Sequence, residues 1–253
     1  MQSNLWIGFL LAAAAGLSTT LGSLIGLVVK KPGSGFMSFS LGFSAGIMIL
    51  VSFVELLQEA IERIGFTWAH FAFFLGIGMF FLIDLVVPHD YVGQEDRVVS
   101  GEKPGLSRTG LLVAVGIAIH NFPEGMATLA GSLEDIHLGA AIALAIAIHN
   151  VPEGLAVSVP VYAATGSRKK AFWFSFLSGV SEPVGAGLAA LVLLPFLNEA
   201  VTGWAFAWVG GIMVAISLDE IVPSAKSFGR DHMPVLGILA GMVVMALSLG
   251  MLK

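Results

Sequence analysis

The chain has 253 residues, of which 57% are hydrophobic and only 11% are charged, and its formal net charge is −5. This composition excludes a soluble globular domain. Long apolar stretches without period-two alternation predict an all-α integral membrane protein and not a β-barrel. The chain contains no cysteine, which excludes thiolate metal sites and disulfides.

Eight stretches are long enough to cross a bilayer, which needs about 20 apolar residues. In chain order, the predicted spans cover residues 5–29, 36–61, 66–87, 109–130, 138–162, 171–194, 203–225 and 234–252. Their connections are short, except for a polar loop over 88–108. No polar region is long enough to form a soluble domain, so we expect a single transmembrane domain over 1–253.

The basic residues divide unequally between the two sides of these spans. Ten of them fall in alternate loops, and only Arg63 and Lys253 fall on the other side. By the positive-inside rule, the loops that carry the ten basic residues are cytoplasmic. We therefore expect a cytoplasmic 88–108 loop and both termini outside the cytoplasm.

Spans four and five carry the same eleven-residue pattern, IAIHNFPEGMA over 117–127 and IAIHNVPEGLA over 146–156. Successive spans run in opposite directions, so the two copies are antiparallel and both lie near the bilayer midplane. Polar groups at that depth are costly and usually functional. Two matched copies predict one composite site with a two-fold axis in the membrane plane.

The flanking spans repeat as well. Residues 46–60 of span two align without gaps on 211–225 of span seven, whereas no match of span three to span eight is strong enough to claim. In spans one and six the matching residues are Gly16, Ser18 and Gly22 with Gly179, Ser181 and Gly185. The pattern predicts eight helices in a 3+2+3 inverted-repeat arrangement, which is typical of secondary transporters.

The chemistry of the repeated motif favours a divalent cation. Its His and Glu are four residues apart and so lie on one helix face, while its Pro leaves a backbone carbonyl without an intrahelical partner. Span six adds a carboxylate in the segment SGVSEP. The candidate ligands are His120, Asn121, Glu124, His149, Asn150, Glu153 and Glu182. These nitrogen and oxygen donors suit Zn, Mn, Fe, Co, Ni or Cd better than Cu(I).

The paired HNxPEG helices, the SGxxEP helix and the 3+2+3 layout resemble the ZIP (zinc- and iron-regulated transporter-like) family. The short loops and two full motif copies are most similar to its bacterial ZupT-like branch. The resemblance implies a multi-pass protein of the bacterial inner membrane. It would import zinc, with iron, manganese, cobalt and cadmium as further cargoes, by sliding one helix bundle against another. No enzyme activity and no cofactor besides the transported metal are expected.

The resemblance also implies a binuclear centre. One metal would be held by His120, Glu124, His149 and Glu153. The second would be held by Asn121, Asn150 and Glu182, with Glu124 and Glu153 bridging the two ions. The expected partners are therefore divalent metal ions and the lipid bilayer, with no nucleic acid.

Three further residues are candidates for the transport pathway: Met48, Glu55 and Glu220. Glu55 and Glu220 are equivalent in the repeat, and would lie toward the outer and inner face respectively. The alternatives are solvated carboxylates near the span ends and a methionine that only packs. Glycine-rich helix faces would also permit a homodimer.

Two other functions fit parts of the sequence. An intramembrane metal-dependent hydrolase would use a His/Glu-bound zinc to activate water. Such an enzyme needs no inverted copy of its site, and the chain has no HExxH motif. A metal sensor without flux would need an output domain, for which the sequence has no polar segment of sufficient length.

Overall fold

The computed structural model describes residues 2–28, 33–86, 121–193, 196 and 198–252, and within them every regular element is a helix. Six of the described helices are long and apolar enough to cross a membrane, and a shorter apolar helix covers Phe66–Leu82. The all-α membrane class predicted from composition is confirmed. His120 and the 88–108 loop lie outside the described residues.

The described helices follow the chain, and where the connection between two of them is also described it has one to five residues. They are α1 (Gln2–Val28), α2 (Ser34–Val51, continued by a π-helical turn Ser52–Leu56 and by Leu57–Ile64), α3 (Phe66–Val86), α4 (121–134), α5 (Ile136–Thr165), α6 (Arg168–Leu193), α7 (Glu199–Ile216, continued by a π-helical turn Ser217–Ile221 and by Val222–Ser227) and α8 (Met233–Leu252). Each of them overlaps one of the predicted spans, and most extend beyond it by a few residues.

Local sequence explains how these helices begin and end. Asp135 caps α5, since its side chain accepts hydrogen bonds from the backbone N–H groups of His137 and Leu138. Gly65, with φ of 78°, forms the whole connection between α2 and α3. A left-handed φ of this kind is strained for residues other than glycine. Such tight turns make neighbouring helices antiparallel.

The helices pack in two groups. In one group α1 lies against α5 and α6, and α4 packs against these three. In the other group α8 lies against α2, and α3 lies against α7. The two groups meet mainly where α2 packs on α5. Large apolar side chains such as Trp6 and Leu191 are exposed on the outside of the molecule, as expected for a surface that faces lipid.

Close helix contacts in the first group are paired by a two-fold operation. A Cβ atom at Gly22 would collide with the carbonyl of Val151, and one at Gly185 would collide with the carbonyl of Phe122. Gly22 and Gly185 match in the sequence repeat, as do Val151 and Phe122. These contacts explain why both positions are glycine: the backbones approach too closely for any side chain.

The second group has its own paired features. Gly46 of α2 lies against the carbonyl of Ile238 in α8, and its repeat mate Gly211 of α7 lies against the carbonyl of Phe73 in α3. Helix α3 therefore packs on α7 as α8 packs on α2, an equivalence too weak to claim from sequence. The two π-helical turns also fall at equivalent positions of the 46–60 and 211–225 repeat. Such turns are rare and often occur at functional sites.

Candidate metal centre

A histidine and a carboxylate from the two motif copies meet between α4 and α5. His149 Nε2 lies 3.0 Å from Glu124 Oε1, and both side chains are fully buried, with 0% exposure. Each helix thus brings a metal-ligating side chain to the same point. This partner of His149 is a Glu of the other motif copy.

An amide and a carboxylate meet beside this pair. Asn150 Nδ2 donates hydrogen bonds to Glu182 Oε1 of α6 and, at 3.0 Å, to the carbonyl oxygen of Ala15 in α1. Asn150 and Glu182 are both completely buried. The SGxxEP segment therefore contacts the second copy of the repeated motif.

The remaining two described candidate ligands are also buried there. Glu153 is 3% exposed, and its Oε1 accepts a hydrogen bond of 3.2 Å from Ser44 Oγ of α2. Asn121 Nδ2 donates to the carbonyl oxygen of Ser178 at 3.3 Å. Through Ser44, the second helix group contacts the centre. Sequence reasoning missed Ser44, because a serine in an apolar span carries no distinctive signal.

Several oxygen atoms of the centre receive no hydrogen bond from the described residues. They are Oδ1 of Asn121, Oδ1 of Asn150 and Oε2 of Glu182. A buried acceptor left in this state costs about 1–3 kcal/mol. Three such acceptors in one region would be stabilised by a cation, and amide and carboxylate oxygens suit hard and borderline divalent ions.

The described carboxylates and imidazoles do not form a metal site by themselves. Within the described ranges, no three His, Cys, Asp or Glu side chains are grouped closely enough to hold an ion. What the described part of the chain brings together is the His149–Glu124 pair, the Asn150–Glu182 pair and Glu153. The two motif copies contain two His and two Glu residues. Three of these, Glu124, His149 and Glu153, are described, and His120 lies outside the described residues.

Glu55 lies in the wall of a cavity of about 320 Å³. The other lining residues are Glu59, Arg63, Glu134, Asp135, His137, Leu138, Ala141 and Leu249. Arg63 forms ion pairs with Glu59 at 2.9 Å and with Glu134 at 3.1 Å, which joins α2 to the end of α4. The sequence did not predict this Arg63 bridge between the helix groups.

The other two pathway candidates lie on α2 and α7. Met48 is fully buried, and its sulfur lies 3.7 Å from Ser217 Oγ. Glu220 is half-buried in the π-helical turn of α7. Met48 and Ser217 thus connect α2 and α7 within the second helix group, close to both π-helical turns.

Comparison with known proteins gives a consistent result. A family model described as ZIP Zinc transporter matches residues 94–249. The chain is 47% identical to the zinc transporter ZupT of Streptococcus mutans over 260 residues, which cover 98% of each protein. It is 49% identical to the zinc transporter ZupT of Chlorobium phaeovibrioides over 264 residues, again with 98% of each covered. It is 47% identical to the zinc transporter ZupT of Akkermansia muciniphila over 265 residues, which cover 97% of each protein.

Proposed function

The chain belongs to the ZIP zinc transporter family and transports divalent metal cations; we propose that it carries zinc into the cytoplasm through the buried centre between α4, α5 and α6. The observation that carries this proposal is the meeting of His149 with Glu124 and of Asn150 with Glu182, fully buried in a membrane protein. Iron, manganese, cobalt and cadmium are further cargoes that these nitrogen and oxygen donors would accept.

We assign two adjacent metal positions to this centre. The first uses His120, Glu124, His149 and Glu153, and the second uses Asn121, Asn150 and Glu182 with Glu124 and Glu153 as bridges. One oxygen each of Asn121, Asn150 and Glu182 has no hydrogen-bond partner among the described residues. These oxygens support the second position, because a bound cation would stabilise them. Three carboxylates also offset much of the charge of two divalent ions, which would otherwise be very costly in lipid.

The packing supports a mechanism of alternating access. All described ligands lie on α4, α5 and α6, in the helix group that also contains α1. The second group consists of α2, α3, α7 and α8. It carries none of the candidate metal ligands, and it contacts the centre through Ser44. Sliding of the first group along the second would expose the ligands to one side and then to the other. Glu55 would lie on the outer part of the route, Met48 in the middle and Glu220 on the inner part.

The proposed topology has eight transmembrane helices in a 3+2+3 inverted repeat that forms a single domain over 1–253. The paired glycine contacts and the paired π-helical turns support it. Both termini would then lie outside the cytoplasm of a bacterial cell, with the protein in the inner membrane. A homodimer through exposed helix faces is compatible with this arrangement.

The hydrolase alternative has no support among the relatives, whose names describe zinc transporters. It would require an open coordination position beside a cleft that admits a peptide or lipid substrate. We propose that the chain is not an enzyme and holds no cofactor apart from its cargo.

Uptake of zinc into sealed proteoliposomes that contain a zinc-sensitive dye tests this function. The wild type should show saturable influx, and the variant Glu124→Gln/Glu153→Gln should show none while folding normally. A matched double variant of exposed carboxylates, Glu62→Gln/Glu199→Gln, should transport like the wild type. Zinc binding without influx in the wild type would contradict transport and would favour the enzyme or sensor.

A further inference from the structure

The two-fold relation around the metal centre pairs Thr19 of α1 with Glu182 of α6. A Cβ atom at Gly16 would lie 3.4 Å from the Cβ atom of Glu182, and a Cβ atom at Gly179 would lie 3.4 Å from the Cβ atom of Thr19. Gly16 and Gly179 face each other and are repeat mates. The side chain of Thr19 therefore leaves α1 at the position where Glu182 leaves α6.

The backbone contacts of these two residues are paired in the same way. The carbonyl of Glu182 lies against Gly125, which follows Glu124 in the first motif copy. The carbonyl of Thr19 lies against Gly154, which follows Glu153 in the second copy. Thr19 is thus anchored on one motif copy as Glu182 is anchored on the other.

The asparagines complete the relation. Asn150 donates to the carbonyl of Ala15 at 3.0 Å, and Asn121 donates to the carbonyl of Ser178 at 3.3 Å. Ala15 and Ser178 directly precede the facing glycines, so the two hydrogen bonds are repeat mates. Asn150 also contacts Glu182. Applied to the contact of Asn150 with Glu182, the same two-fold operation would bring Thr19 next to Asn121.

The hydroxyl of Thr19 makes no hydrogen bond to its own helix, and among the described buried hydroxyls it shares this state with Thr20, Ser23, Thr128, Ser158 and Ser178. Ser52, Ser132 and Ser217 each donate at 2.7 Å to the carbonyl four residues earlier. Thr19 is 0% exposed, and its Oγ1 has no hydrogen-bond partner among the described residues. Oδ1 of Asn121 also lacks a partner there. Two buried oxygens in the same half of the centre are thus available to a ligand.

We propose that Thr19 is a further residue of the metal centre and the neutral counterpart of Glu182, contributing its hydroxyl oxygen to the cargo on the Asn121 side. The inference rests on the proposed function, since it assigns a specificity-determining residue to the same centre. One half of the centre carries a carboxylate and the other a hydroxyl. The neutral half binds the ion more weakly, and this weaker half allows the ion to leave.

Metal uptake by proteoliposomes tests the assignment with variants of Thr19 and of a control threonine. Thr128 is also completely buried in the first helix group, and its hydroxyl likewise has no described partner, so Thr128→Val is the matched control. Thr19→Val removes the hydroxyl at nearly constant volume, and Thr19→Ala removes it without needing space. Thr19→Ser keeps the hydroxyl. Uptake is measured with Mn²⁺, which prefers oxygen ligands, and with Cd²⁺, which is softer.

We expect Thr19→Val and Thr19→Ala to raise the half-saturating concentration of Mn²⁺ about fivefold, as the loss of one modest polar contact does, and that of Cd²⁺ by less. Thr19→Ser should stay within about twofold of the wild type on the same scale. Thr19→Glu should lower both the half-saturating concentration and the maximal rate, because a fourth carboxylate holds the ion.

The inference is overturned if two results occur together while the wild type transports normally. First, Thr19→Val and Thr19→Ala show the same half-saturating concentrations as Thr128→Val. Second, Thr19→Glu changes neither the half-saturating concentration nor the maximal rate. A changed maximal rate with the same Mn²⁺/Cd²⁺ preference would also count against it, because a residue that only packs would have that effect. Absence of saturable uptake in the wild type would instead refute the proposed function.

Discussion

At the scale of single residues, the centre is held by side chains that each connect two or three helices. Asn150 joins α5 to α1 and α6, and His149 joins α5 to α4. Both donors of Asn150 are used by the protein, and its amide oxygen has no hydrogen-bond partner among the described residues. The same division holds for Asn121, whose donor group contacts Ser178. The amides thus position the helices and offer an acceptor at the same time.

The carboxylate of Glu182 should matter for its charge more than for its hydrogen bond. Glu182→Gln keeps an oxygen that can accept from Asn150 but removes one negative charge from the centre. We expect zinc affinity to fall by at least about tenfold, as for a lost charged contact of more than 1.4 kcal/mol, while the protein stays folded. Competition with a zinc-sensitive dye measures the affinity of purified protein. An affinity equal to that of the wild type would remove Glu182 from the ligand set.

Single residues also show how far sequence reasoning reaches. The resemblance grouped Asn150 with Glu182 and His149 with Glu124, and the structure shows a hydrogen bond within each pair. The individual contacts could not be read from the motif, because spacing along one helix says nothing of how two helices rotate against each other. Ser44 and Thr19 were missed because a hydroxyl in an apolar span is usually bonded to its own helix. Only three-dimensional contacts distinguish them.

At the scale of elements, glycines determine how closely the helices of the centre approach. A Cβ atom at Gly125 or Gly154 would collide with the carbonyl of Glu182 or Thr19, so that an alanine there requires the backbones to move apart. The motif glycine therefore has a packing role separate from metal binding. This packing explains why a glycine follows the glutamate in each motif copy.

We expect Gly154→Ala to destabilise the protein by about 1–3 kcal/mol, the usual cost of overpacking a rigid interior. Thermal unfolding in detergent measures this loss. Gly78 of α3 is the matched control, because a Cβ atom there meets nothing within 4 Å. Gly78→Ala should be neutral or slightly stabilising, since alanine is the better helix former. Equal melting temperatures for the two variants would contradict the close approach of α1 and α5.

Helix pairing and helix irregularities were the least predictable parts of the fold. The aligned segments 46–60 and 211–225 indicated that α2 and α7 are equivalent but not that each contains a π-helical turn. Pro223 follows the turn at Ser217, but the sequence around Ser52 has no proline or glycine pair, so nothing in the sequence marked a turn at both positions. The equivalence of α3 and α8 became visible only through their glycine contacts with α7 and α2.

At the scale of the whole molecule, charge and symmetry together suggest how the transporter is oriented. The acidic cavity and its Arg63 bridge lie at the end of the molecule where α2 connects to α3 and α4 to α5. In the proposed topology this end is the outer face. Carboxylates there would raise the local concentration of cations before they reach the centre.

The absence of cysteine allows the orientation to be tested by labelling without background. Ser3→Cys lies near the start of α1, and Ser227→Cys lies at the end of α7; both serines are exposed. A membrane-impermeant maleimide added to spheroplasts should label Ser3→Cys at once and Ser227→Cys only after permeabilisation. The reverse pattern would contradict the proposed topology and make the Arg63 cavity cytoplasmic.

The most direct test of the whole account is an experimental structure of the protein with bound zinc or cadmium, in which anomalous scattering locates the ions. We predict one ion that contacts Glu124, His149 and Glu153, and a second that contacts Asn121, Asn150 and Glu182, at the usual zinc distances of about 2.0–2.2 Å. Ions found only in the outer cavity beside Glu55 and Glu134, with none between α4, α5 and α6, would contradict it.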